Sequence, residues 1–133
     1  MISTHARPGA VKGKHILVVD DDIEFAMMSQ AMLSLRDYRV STAGDGVEAL
    51  KLVSKNDVDA ILCDLSMPEL AGDLFYMAVG RVRPELLKRF IFLTGNAENP
   101  IYEPFLKSVK APVLRKPVSF DQLLEKLRVA LGA

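Results

Sequence analysis

ILVVDDD, residues 16–22, runs from four apolar side chains straight into three carboxylates with no basic neighbour to offset them. Charge clusters usually belong to solvated loops, or to the first turn of a helix, where acids favour the positive end of the dipole. Three other apolar runs end as abruptly: DAILCD closes on Asp64, RFIFLTG reaches Thr94, and APVLRK closes on Lys116. Singly, each has an ordinary explanation as a loop carboxylate, a β-favouring residue or a surface cation. If the runs are neighbouring parallel strands, however, Asp20, Asp21, Asp64, Thr94 and Lys116 share one edge of a sheet. Carboxylates so crowded raise one another's pKa and cost stability unless something positive joins them. Oxygen ligands without a His or Cys cluster favour a hard divalent cation, and few protein ligands leave room for water and a phosphate, which suits Mg²⁺ better than Ca²⁺. A hydroxyl and an ammonium opposite that ion would cradle phosphoryl oxygens.

The elements that must position these residues are legible as an alternation. HILVVD, DAILCD, RFIFLTG and APVLRK are too short for helices and show little polar alternation, as expected of strands covered on both faces. YRVSTA alternates more and suits an edge strand. Between them lie segments with helical spacing. Asp45 stands three residues before Glu48, and Ser119 three before Gln122, both fitting the capping box. Leu123, Leu124, Leu127, Ala130 and Leu131 form a core stripe in the last helix. In IEFAMMSQAMLSLR the default role of Met27, Met28 and Met32 is gap-filling in the core. Leu74, Met77, Ala78 and Val82 share one face of a helix that ends before Pro84. The resulting order, βα repeated five times with right-handed crossovers, predicts a single doubly wound α/β domain. Its five-stranded parallel sheet has flavodoxin-like strand order 2-1-3-4-5 and helices on both faces. In such a sheet ligands bind beyond the carboxyl ends of the strands, where strand order reverses.

Composition narrows the function. The 133 residues, half of them hydrophobic, make one domain with a core that needs no disulfides. Lys plus Arg and Asp plus Glu are equal at 17 each, which argues against binding a nucleic-acid backbone. Cys63 lies inside an apolar run and is expected to be a small buried hydrophobe. No run is long enough to span a bilayer, and the opening residues lack a signal peptide's apolar core, so a cytoplasmic protein is expected, without membrane insertion. Residues 1–13, with His5, Pro8, Gly9 and Gly13, are expected to be a flexible leader or linker, and 14–133 the folded domain.

VVDDD, CDLSMPELAG, LTG and RKP, each at a strand end and in that order, resemble the motifs of the receiver domain of two-component response regulators. The resemblance covers about residues 14–133. It implies a Mg²⁺-dependent phosphoacceptor signalling module rather than an enzyme, although a parent chain of hybrid-kinase type is compatible. Asp64 would attack the phosphorus of a phosphohistidine on a sensor histidine kinase or histidine phosphotransfer protein. Asp21, Asp64 and the backbone carbonyl of Ser66 would ligate Mg²⁺, with Asp20 acting through water or a hydrogen bond. Thr94 would bond a phosphoryl oxygen, and Lys116 would pair with Asp64 or its phosphate. Asp22 falls outside the pair and is expected to cap the first helix. Pro68 and Gly72 suit a tight loop after Asp64, and Ser66 and Asn96 lie where water would approach. A homodimer is admitted as a further partner, and the Lys116–Pro117 bond is usually cis in the family.

The chain departs from the family in two places. Val113 stands where members often carry an aromatic residue, three positions before the lysine. Pro100 and Pro104 predict a short or displaced fourth helix. Together they lean toward receivers fused to hybrid histidine kinases. The alternative from another class is a small haloacid-dehalogenase-like phosphatase with Asp20 as nucleophile and Asp22 as helper, although 133 residues leave little room for a cap and CDLSMP would then be unexplained.

Overall fold

Ile16 to Val19, Ala60 to Cys63 and Ile91 to Leu93 are fully buried, the fate of uninterrupted apolar runs in the middle of a parallel sheet. The computed structural model describes residues 12–67, 69–95 and 100–132; His5, Pro8, Gly9, Pro68 and Asn96 lie outside them. The elements are β1 (His15–Val19), α1 (Ile23–Ser34), β2 (Arg39–Ala43), α2 (Gly46–Lys55), β3 (Ala60–Asp64) and α3 (Gly72–Val82). A 3₁₀ turn (Pro84–Arg89), β4 (Phe90–Thr94), a second 3₁₀ turn (Pro100–Tyr102), α4 (Glu103–Val109), β5 (Val113–Arg115) and α5 (Phe120–Ala130) complete them. All strand pairs are parallel, in the order β2-β1-β3-β4-β5.

Alternation along each strand divides the core into two layers. Leu17, Val19, Ile61, Cys63 and Phe92 face α2 and α3, meeting Ala49, Val53, Phe75 and Val79. Ile16, Val18, Leu62, Ile91 and Leu93 face α1 and α5, meeting Ala26, Leu33, Leu123 and Leu127. A seven-residue helix such as α4 is too short to persist on propensity alone. It is held by Phe105, whose ring lies 5.4 Å from Tyr76 and 5.3 Å from Phe92, both edge-on.

The helix starts follow the cap residues. Asp22 accepts from the Phe25 N–H at 3.2 Å, Asp45 from Glu48 at 2.8 Å, and Ser119 from Gln122 at 3.3 Å. The return arm of the Asp45 box goes one residue further back, since Glu48 accepts from the Gly44 N–H.

Three expectations about burial are corrected. Met27 and Met28 are 64% and 57% exposed, because α1 turns Ala26, Ser29 and Leu33 inward; with apolar residues on every side, its pattern could not tell which face packs. Leu74, Met77 and Val82 are exposed as well, the sheet being covered instead by Phe75 and Val79 one position away. β5 is a three-residue edge strand whose residues alternate exposed, buried, exposed, because it pairs on one side with β4 and leaves its other side open. At the opposite end of the sheet from the acidic run, buried His15 bonds Ser41 Oγ at 2.7 Å and the Asp57 carbonyl at 3.1 Å, so both ring nitrogens have partners.

Candidate functional site

The ladder continues one residue past the ends of β1, β3 and β5, and this aligns the polar residues along the edge. The Asp20 N–H bonds Ala43 O at 3.0 Å, Leu65 N–H bonds Leu93 O at 3.0 Å, and Lys116 N–H bonds Thr94 O at 2.8 Å. Asp20, Asp21, Asp64, Thr94 and Lys116, up to 96 positions apart in sequence, therefore meet at one edge. The Lys116–Pro117 peptide bond is cis. A cleft of about 250 Å³ opens there, bordered by Asp64, Ser66, Thr94, Gly95, Tyr102 and Lys116.

Lys116 sits among the acids and pairs with two of them, Asp64 as the resemblance implies and, more closely, Asp20. Its Nζ is 2.6 Å from Asp20 Oδ2 and 4.0 Å from Asp64 Oδ2. Asp20 has the stronger claim because its side chain is wholly buried, so water cannot solvate its charge. Its other oxygen accepts from the Asp22 N–H at 2.9 Å. Asp64 is left with a long contact from the Ser66 N–H, 3.5 Å, and its own ion pair at the limit of reach. Burial pushes the Asp64 carboxyl up to about 6; the charges of Asp20 and Asp21 add to the rise, while Lys116 and the Ser66 N–H oppose it. Burial likewise holds the thiol of Cys63 well above its usual range, in keeping with its packing role.

The acidic cluster fits a small hard cation. Asp20, Asp21 and Asp64 each offer a carboxylate oxygen, and these lie within 4.8 Å of one another. In a six-coordinate Mg²⁺ with bonds of about 2.1 Å, neighbouring ligands are about 3.0 Å apart and opposite ones about 4.2 Å, so the carboxylates reach one ion by side-chain movements of no more than about 2 Å. Asp21 is exposed and Asp64 borders the cleft, which leaves open sides for water and a further oxygen ligand.

Comparison with known proteins bears on the same residues. The response regulator receiver domain family matches residues 16–128. The chain belongs to this family. As a receiver domain it is a phosphoacceptor signalling module. It is 34% identical over 117 residues to the transcriptional regulatory protein ZraR of Klebsiella oxytoca, covering 88% of this chain and 26% of that protein. It is 37% identical over 116 residues to the sensor histidine kinase RcsC of Salmonella typhi, covering 86% of this chain and 12% of that one. The receiver thus spans about a quarter or less of the curated relatives it matches. A CheY-like receiver domain protein from Methanospirillum hungatei JF-1 superposes with a TM-score of 0.82 at 27% identity, covering 91% of this chain and 95% of that one. The receiver domain of sensor histidine kinase PA1611 from Pseudomonas aeruginosa PAO1 superposes at 0.81 with 28% identity, covering 91% and 99%; that structure holds a magnesium ion in its active-site cleft. The comparisons give the phosphatase alternative no support, and Asp22, its helper acid, is engaged in capping α1.

Two residues beside the site escaped the sequence reading. Tyr102 borders the cleft from the turn before α4, where the prolines are the dominant sequence signal. Phe25 lies under Lys116, whose Nζ is 4.6 Å from the ring centroid. Its signal was its place one turn after an N-cap that follows directly on the acidic pair.

Proposed function

We propose that Asp64 is the phosphoacceptor, taking the phosphoryl group of a phosphohistidine on a sensor histidine kinase or histidine phosphotransfer protein. The observation that carries this reading is the placement of Asp64 at the end of the central strand. There its carboxylate borders the cleft beside Thr94, with an ammonium 4.0 Å away and two further carboxylates within reach of a shared cation. A carboxylate oxygen attacks phosphorus, the phosphorus–nitrogen bond breaks, and its electron pair leaves with the imidazole of the donor. No general base is required, because at pH 7 a carboxyl with a pKa of about 6 is mostly ionised already.

Asp21, Asp64 and the Ser66 carbonyl would hold Mg²⁺, with Asp20 supporting from behind; when bound, the ion supplies positive charge against the crowded carboxylates and the phosphoryl oxygens. Thr94 donates its hydroxyl to a phosphoryl oxygen, and Lys116 turns from Asp20 toward the new phosphate. Transfer from a phosphorylated histidine donor, followed by acid-quenched labelling, tests the assignment. Wild type should label and Asp64→Asn should not; undiminished labelling of Asp64→Asn would refute it.

A further inference from the structure

We propose that Phe25 is a positioning residue whose ring face holds the Lys116 ammonium over the acidic cleft; this rests on the reading of Asp64 as acceptor. A lysine ammonium is a point charge on a flexible four-carbon stem, so its usefulness depends on what fixes it. Nζ lies 2.6 Å from Asp20, 4.0 Å from Asp64 and 4.6 Å from the centroid of the Phe25 ring. Both carboxylates belong to the cluster that fits a divalent cation, so a cation drawing on Asp20 weakens the closest hold on the ammonium. A ring face attracts the ammonium through its quadrupole and ligates no metal. Unlike the two carboxylates, it does not compete for the ion.

The ring is itself fixed from two directions. Its backbone N–H is the donor that Asp22 accepts at the start of α1, so the third acid of the run sets the position of the shelf. Its edge packs into the layer under α1 and α5, bordering a cavity of about 190 Å³ with Met28, Val118, Phe120 and Leu123. Plain core packing would be served equally by leucine. The ammonium contact would not.

A double-mutant cycle separates these roles. Calorimetry of the full chain with Mg²⁺ plus beryllofluoride, a phosphoryl mimic, is run for wild type, Phe25→Leu and Phe25→Tyr, each also in a Lys116→Met background. Phe25→Leu should weaken beryllofluoride binding about fivefold with Lys116 present and leave it unchanged without it, and Phe25→Tyr should retain wild-type affinity. An equal loss in both backgrounds, or none in either, overturns the proposal. The metal-free protein gives an independent reading. The ring current should shift the Lys116 side-chain proton resonances upfield, and Phe25→Leu should abolish that shift; resonances unmoved by Phe25→Leu would also overturn it. Failure of wild type to bind beryllofluoride would instead strike the acceptor reading, leaving the ring-current result to decide the Phe25 contact alone.

Discussion

Replacing Asp64 by Asn should make the metal-free protein more stable at neutral pH while destroying the proposed acceptor. The carboxyl of Asp64 is 10% exposed and its pKa rises from 3.8 to about 6. A rise of that size corresponds to about 3 kcal/mol between protonation states, and residual solvent access brings the expected effect to between about 1 and 3 kcal/mol. Because the folded-state value lies above the unfolded one, the folded protein holds the proton more tightly. The group's favourable contribution is complete below pH 3.8 and is lost as pH rises through about 6. Asn has no charge to bury, so Asp64→Asn escapes that loss. Urea unfolding without metal should show the variant ahead at pH 7, with the gap closing by pH 4. Mg²⁺ at about 1,000 times its Kd should reverse the order, since it adds about 4.1 kcal/mol to the state that binds it. A variant less stable than wild type at pH 7, or equally far ahead at pH 4, would refute the account of a strained acidic cluster.

Lys116→Met removes the cation paired with wholly buried Asp20. It should destabilise the metal-free protein by about 3 kcal/mol at pH 7, and its Mg²⁺ affinity by calorimetry should rise, because the ammonium no longer opposes the ion. Asp21→Asn leaves the buried pair intact and should weaken Mg²⁺ binding at least about tenfold, or about 1.4 kcal/mol, in the same titration. Gly72→Ala places a Cβ 2.7 Å from the Asp64 carbonyl oxygen and 2.9 Å from Leu65 Cα. Backbone must move there, so unfolding should show a loss of about 2 kcal/mol or more, with slower labelling of Asp64.

The strands and the site edge were legible because they depend on signals that survive in one dimension. A buried parallel strand is an apolar run, its end is the first polar residue, and a shared strand direction then gathers Asp20, Asp64, Thr94 and Lys116 without knowledge of distances. Burial of the helix faces was less legible. α1 carries apolar residues on every side, so nothing in its periodicity chose Ala26 and Leu33 over Met27 and Met28; the sheet made that choice. On α3 the offset of one residue between Phe75 and Leu74 has the same origin. The preference of Lys116 for Asp20 over Asp64 depends on relative burial of two carboxylates, a property of the packed molecule alone. The disposition of α4 was legible through Pro100 and Pro104, but the turn that brings Tyr102 to the cleft follows from Phe105 docking on Tyr76 and Phe92.

One particular carboxylate, that of Asp64, is proposed to receive the phosphoryl group. The most direct test of this proposal is to phosphorylate wild type with a small-molecule phosphodonor and Mg²⁺, reduce the acyl phosphate with borohydride, and map the modified peptide by mass spectrometry. Asp64 should be converted to homoserine, within the peptide containing CDLSMP. Conversion of Asp20 instead, or an unmodified chain after donor and metal are saturating, would contradict it.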